Sequence, residues 1–160
     1  MYSFRNDYSE GAHPKVLQAL ADTTLRQTVG YGMDPCCQAA ADTIRRLCAA
    51  PDAAVHFLVG GTQVNLVTID AFLQSYEAVV AAQTGHVSTH ETGAIEATGH
   101  KVCTVESPDG KLTPALVESV LAGHNGTEHM VLPRMVYISD TTEIGTVYTR
   151  AELAALRQCC

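Results

Sequence analysis

Two glycines and a threonine, Gly60-Gly61-Thr62, close a short β-branched apolar run and open a helical one, and that placement can bind an anion. Backbone N–H groups are left unpaired at such a turn, at the positive end of the helix dipole. Glycine lets a phosphate approach the backbone closely, and the Thr62 hydroxyl adds one more donor. The turn lacks the lysine of a GxxxxGK(S/T) loop and the spacing of GxGxxG, so neither a nucleotide triphosphatase nor a dinucleotide fingerprint is indicated. An ordinary βα turn fits these residues equally well. His86 has two readings: a polar loop residue, or an imidazole covering a planar aromatic ligand whose phosphate sits on Gly61 and Thr62. A zinc reading of His86, His90 and Glu91 carries the least weight because the HExxH order is missing, and no metal is expected.

These residues need elements that hold them in place. Residues 54–72 read as a strand, a tight turn and a helix: Val55, Phe57, Leu58 and Val59 suit a strand covered on both faces, and Val64, Val67 and Ala71 recur at helical spacing beside Leu66, Ile69, Phe72 and Leu73. Upstream, Pro14 opens a helix carrying Val16, Leu17, Leu20 and Leu25. The glycine-flanked segment 29–33 is either a spacer or a loop that delivers Tyr31 to a site, and the residues alone favour the spacer. Asp34 and Pro35 then start a second helix whose Cys37, Ala41, Ile44, Leu47 and Cys48 are expected to face inward. Downstream, 78–82 is a strand delivering Gly85 and His86, and a helix is expected through Glu91 and Ile95 to Gly99. A strand over 101–106, a turn at Pro108-Asp109-Gly110, a helix capped by Thr113 and a fourth strand over 135–139 follow. Thr149 and Glu152 form a capping box for a last helix. Strands alternating with helices predict a parallel, right-handed α/β sheet with ligands at the carboxyl ends of its strands. Gly60, Gly61, Thr62, His86 and the run 140–143 all fall there. The final helix carries Leu153, Leu156 and Cys160 to the last residue, so the sequence reads as cut, with uncovered apolar surface and a tendency to self-associate.

With 160 residues, 46% hydrophobic and 17% charged, the chain can bury one real core. It has no apolar stretch near the roughly 20 residues of a membrane span and no basic-then-apolar start, so a cytoplasmic protein without a membrane partner is expected. A net charge of -7 with no basic patch argues against nucleic acid and favours a small ligand. The 6 cysteines show no CxxC spacing, and Cys48 and Cys103 are expected to be buried free thiols.

The segments FRNDYSEGAHPKVLQAL, YGMDP, VGGTQVN, TGHVSTHETGA, DGKLTP and TTEIGTVYT occur in the order found in threonine aldolases. On them the sequence resembles the beta-eliminating lyase and threonine aldolase family over essentially its whole length. The resemblance implies pyridoxal 5′-phosphate on a type I aminotransferase fold: a three-layer α/β large domain with a mainly parallel sheet. Residues 1–53 would be an N-terminal helical segment leading into that domain and 54–160 its first part, the remainder and a small C-terminal domain being absent. Gly61 and Thr62 fall on the family's phosphate turn with Gly60 beside them. His86 matches the histidine that stacks on the cofactor ring, and Glu91 the glutamate of the same motif; both are catalytic candidates. Tyr31 matches a loop that family dimers bring to the neighbouring subunit, and Asn6 stands where many members have a serine near the substrate carboxylate. Asp140-Thr141-Thr142 occupies a stretch where members often carry Asn-Thr-His or Asn-Thr-Thr.

The family's Asp-Gly-Ala-Arg motif and its Schiff-base lysine have no counterpart here, where the only lysines are Lys15, Lys101 and Lys111. The implied activity is cleavage of β-hydroxy-α-amino acids to glycine and an aldehyde by a homodimer or homotetramer, with the fragment alone inactive. The alternatives are another pyridoxal phosphate-dependent β-eliminating lyase and a non-catalytic phosphate-binding or interaction remnant.

Overall fold

The central element is β1, Glu77–Ala82, whose five residues after Glu77 are all buried. Its side chains alternate between two cores. Val79 and Ala81 pack with Ile69, Leu73, Val87 and Ile95, while Val80 and Ala82 pack on the opposite face with Leu112, Val117, Tyr148 and Leu156. A strand with apolar residues on both faces is what a sheet sandwiched between helices requires. In the computed structural model, which describes residues 3, 6, 8–124 and 126–160, β2 (Lys101–Val105) and β3 (Leu132–Val136) flank β1 in the order β2-β1-β3, both parallel to it. The fold is α/β.

The chain divides into two compact units, residues 1–57 and 58–160. The first holds α1 (Pro14–Thr23) and α2 (Pro35–Leu47); the second holds α3 (Gly61–Phe72), the sheet, α4 (His86–Thr89), α5 (Ala94–Ala97), α6 (Pro114–Gly123) and α7 (Arg150–Cys159). The helix starts follow their capping chemistry. Asp34 Oδ1 accepts from the N–H groups of Cys36 and Cys37 at 2.8 and 3.0 Å, and Thr113 Oγ1 accepts from Leu116 N–H at 3.3 Å.

Several expectations are corrected. The apolar run before Gly60 lies in no strand, and Val59 is 96% exposed. Its β-branched residues suit a strand, but a strand also needs a neighbour's backbone groups, and among the described residues the run is paired with neither edge strand, β2 or β3. The sheet thus has three strands among the described residues, not four. The helix expected through Glu91 to Gly99 is two short ones, because Thr92 (φ 50) and Gly93 (φ 75) take left-handed backbone between them. The strand expected at 135–139 runs instead over Leu132–Val136; Pro133 is accommodated at a register shift against Ala78 and Val79, where a missing N–H is tolerated, and 137–139 lie beyond its end. On α2 only Ala41 is buried; Ile44, Leu47 and Cys48 are exposed, as are Val16, Leu17 and Leu20 of α1. Leu156 is covered, contrary to the expected bare stripe, because α7 lies on the core that contains Val80 and Val117; Leu153 and Cys160 are exposed.

Lys111 ties the turn before α6 to α7. Its Nζ lies 2.5 Å from Glu152 Oε1, while Glu152 Oε2 accepts from Thr149 N–H at 2.6 Å to complete the capping box. Tyr148, buried beside it, accepts at its hydroxyl from Leu112 N–H at 2.6 Å. Lys111 first, and then Thr149, hold the Glu152 carboxyl down at about 2 from its ordinary 4.5. A depressed carboxylate stabilises the fold above the unfolded value and loses that contribution as pH falls through the folded one. Melting temperature should therefore fall as pH drops from about 4.5 towards 2, and Glu152→Gln should flatten that part of the profile. An identical acid limb in the variant, read by thermal melts, would exclude the contribution.

Candidate active site

The N-terminus of α3 is capped by no side chain. Its first helical bond runs from Val64 N–H to Gly60 O at 3.0 Å, so the N–H groups of Gly61, Thr62 and Gln63 lie ahead of the intrahelical ladder. Gln63 folds back to accept from Val59 N–H at 2.8 Å, which shapes the approach to the turn. A Cβ built on Gly60 or Gly61 would meet nothing within 4 Å. Gly60 is fully extended (φ -167°), which any residue adopts, so the protein's own backbone and packing do not demand glycine at either position. The space that a Cβ would fill at either glycine is open, which leaves room for an incoming phosphate beside the uncapped terminus.

One helical turn further along α3, Asn65 connects this terminus to the rest of the site. Its Nδ2 donates to Glu91 Oε1 at 2.6 Å, and His86 Nδ1 lies 2.9 Å from the same oxygen. Glu91 is 3% exposed and its Oε2 is buried with no hydrogen-bond partner. An ionised carboxylate can only accept, so His86 carries its proton on Nδ1 and leaves the Nε2 lone pair free. The His86 side chain remains partly exposed. Glu91 holds one ring nitrogen of a side chain that stays within reach of solvent.

His86 leaves the carboxyl end of β1, and its backbone N–H lies 3.5 Å from Ser139 Oγ, just beyond the end of the neighbouring β3. His90 meets His86 edge to face at 5.5 Å between ring centroids and lies 3.6 Å from Glu143. The other residues of 140–143 close their own loop: Asp140 Oδ1 accepts from Tyr148 N–H at 3.2 Å, and the Thr142 and Thr146 hydroxyls are 2.7 Å apart. Among the described residues no group of three or more His, Cys, Asp or Glu is arranged to hold a metal.

The structure thus brings Gly60, Gly61, Thr62, His86 and Glu91 to one end of the sheet. Asn6 and Tyr31 belong to the N-terminal unit. Asn6 Oδ1 accepts from Tyr8 N–H at 3.3 Å and from Ser9 Oγ at 2.5 Å, while Tyr31 is fully exposed in left-handed backbone (φ 64). Asn65 was the residue that sequence reasoning missed. Its signal was an amide three positions after Thr62, next to Leu66 on the helix that packs on the sheet.

The chain is 35% identical over 159 residues to a low specificity L-threonine aldolase of a Pseudomonas species, and 34% identical over 159 residues to that of Pseudomonas aeruginosa; each match covers 98% of this chain and 45% of the relative. A solved structure of Leishmania major threonine aldolase superposes with a TM-score of 0.97 at 54% identity, over 100% of this chain and 46% of that one. The chain spans about half the length of the relatives it matches. The sequence profile of the beta-eliminating lyase family matches residues 4–160, and the chain belongs to that family.

Proposed function

We propose that the protein containing this chain is a pyridoxal phosphate-dependent lyase that cleaves β-hydroxy-α-amino acids to glycine and an aldehyde. The observation that carries this reading is the Asn65-Glu91-His86 arrangement, anchored one helical turn from a bare helix terminus, in a chain 35% identical to a low specificity L-threonine aldolase.

The residues present fit the cofactor's phosphate and ring. The space beside Gly60 and Gly61 is open, the first-turn N–H groups and the Thr62 hydroxyl supply donors, and the His86 ring is held through Nδ1 by Glu91. Pyridoxal phosphate, when bound, supplies the electron sink that the breaking Cα–Cβ bond requires. The chain's own part is orientation and proton handling. Glu91 holds the His86 ring and stabilises positive charge on it, so Nε2 can accept the proton of the substrate's β-hydroxyl. Burial of Glu91 keeps water from competing for that bond.

Tyr31, exposed and held in left-handed backbone, is assigned to a neighbouring subunit's site in a homodimer or homotetramer, and Asn6 to the substrate carboxylate. No helix among the described residues is long and apolar enough to cross a membrane, and all six cysteines are free, which suits a reducing compartment such as the cytoplasm.

Purified full-length protein given pyridoxal phosphate and L-threonine should release acetaldehyde and glycine in equal amounts. Release of ammonia and a keto acid instead would assign β-elimination, and no turnover of any β-hydroxy-α-amino acid would reject the reading.

A further inference from the structure

On the other side of the sheet a second pair of reactive groups meets. Cys103, buried on β2, has its Sγ 3.6 Å from His124 Nε2, and His124 Nδ1 lies 2.8 Å from Val120 O. A carbonyl oxygen only accepts, so Nδ1 carries the ring proton and Nε2 presents a lone pair to the thiol. The thiol donates to it. His124 is the C-cap of α6. Nucleophile, base and a third group that orients the base are the three parts an activated thiol needs.

The pair does not close on itself. Both residues line an open cavity of about 360 Å³ together with Lys101, Ser119, Val120 and Gly123. Lys101 is the charged group that faces it from β2; from α6 it is faced by Ser119 and His124. Burial pushes the Cys103 thiol up, and the Lys101 charge offsets this in part. A thiol kept protonated in this way reacts only as fast as a base can take its proton.

We propose that Cys103 is a covalent modification site for small α,β-unsaturated carbonyl compounds, with His124 as its base. In the step, the Cys103 sulfur bonds to the β-carbon as the carbon–carbon π bond breaks. The electron pair moves to the carbonyl as an enolate, whose charge Lys101 offsets. The thiol proton passes to His124 Nε2 and from there to the α-carbon. No electron is gained or lost overall, and no co-reactant is needed. This site is independent of the Gly60-Thr62 turn and of His86.

The test is site-resolved labelling of the native full-length protein with N-ethylmaleimide, quantified by peptide mass mapping between pH 6 and 8.5. An unassisted thiol reacts about tenfold faster per pH unit below its own titration, whereas a thiol deprotonated by imidazole levels off once that base is neutral, above roughly pH 7.5. Cys103 should level off, while the exposed Cys36 and Cys160 keep rising. His124→Gln should slow Cys103 at least tenfold and leave Cys36, Cys48 and Cys160 unchanged. A Cys103 rate that climbs with pH like the others would overturn the proposal, as would labelling only in denaturant; either makes the pair a structural hydrogen bond. The wild-type pH profile decides the matter even if the variant does not fold.

Discussion

Replacing Glu91 with glutamine should lower kcat by roughly 10²–10⁴, the range ordinarily supplied by a positioned acid–base group. The substitution is nearly isosteric, and the new carbonyl can still accept from Asn65 and His86 at the Oε1 position. Folding should therefore survive. What is lost is the negative charge that supports a protonated His86 and the strict acceptor character that fixes the ring's proton on Nδ1. KM should change far less than kcat, because His86 keeps its place. Steady-state kinetics on full-length protein, with circular dichroism to confirm the fold, would measure this; a kcat within threefold of wild type would remove Glu91 from the chemistry. Asn65→Ala should fall between the two, since it frees the Glu91 carboxylate to rotate without discharging it.

The largest loss of stability should come from Ile95→Ala. Ile95 is fully buried on α5, packed with Val79 and Ala81 of the central strand and with Ile69 and Val87. Removing three carbons there leaves a cavity that α5, four residues long, can close only in part. The cost should be about 2–5 kcal/mol. That is a large share of the 5–15 kcal/mol by which domains are typically stable. Urea unfolding would give the figure, and a loss below about 1 kcal/mol would mean that the layer over β1 is loosely packed. Because Glu91 precedes α5 by three residues, the same substitution should also disturb the His86 bond. A variant that loses stability but keeps full activity would separate the core from the site.

Much of the sheet was legible because its strands and capping residues carry local signals. The short apolar run 78–82 suits a buried strand between glycine-bounded segments, and Asp34, Thr113 and Thr149 each cap the helix they announce. What was not legible depends on partners distant in sequence. Val55, Phe57, Leu58 and Val59 have strand composition, but composition cannot supply the neighbouring backbone that a strand needs. Leu47 and Cys48 look like core residues by period, but period identifies a face and not what covers it. The site was half legible. Gly60, Gly61, Thr62, His86 and Glu91 stand in recognisable segments, whereas the bond from Asn65 to Glu91 spans 26 positions and follows only from the packing of α3 beside α5.

The most direct test of the central claim, that the α3 terminus holds the phosphate of pyridoxal phosphate, is a binding titration of Gly61→Val against wild type in the full-length protein. A Cβ at Gly61 meets nothing within 4 Å beyond its own chain neighbours and helix backbone, so the substitution should leave the fold alone and intrude on what enters from outside. We expect affinity for pyridoxal phosphate to fall tenfold or more, equivalent to about 1.4 kcal/mol. Affinity for pyridoxal, which lacks the phosphate, should barely change. Equal affinity of both proteins for pyridoxal phosphate would contradict the assignment.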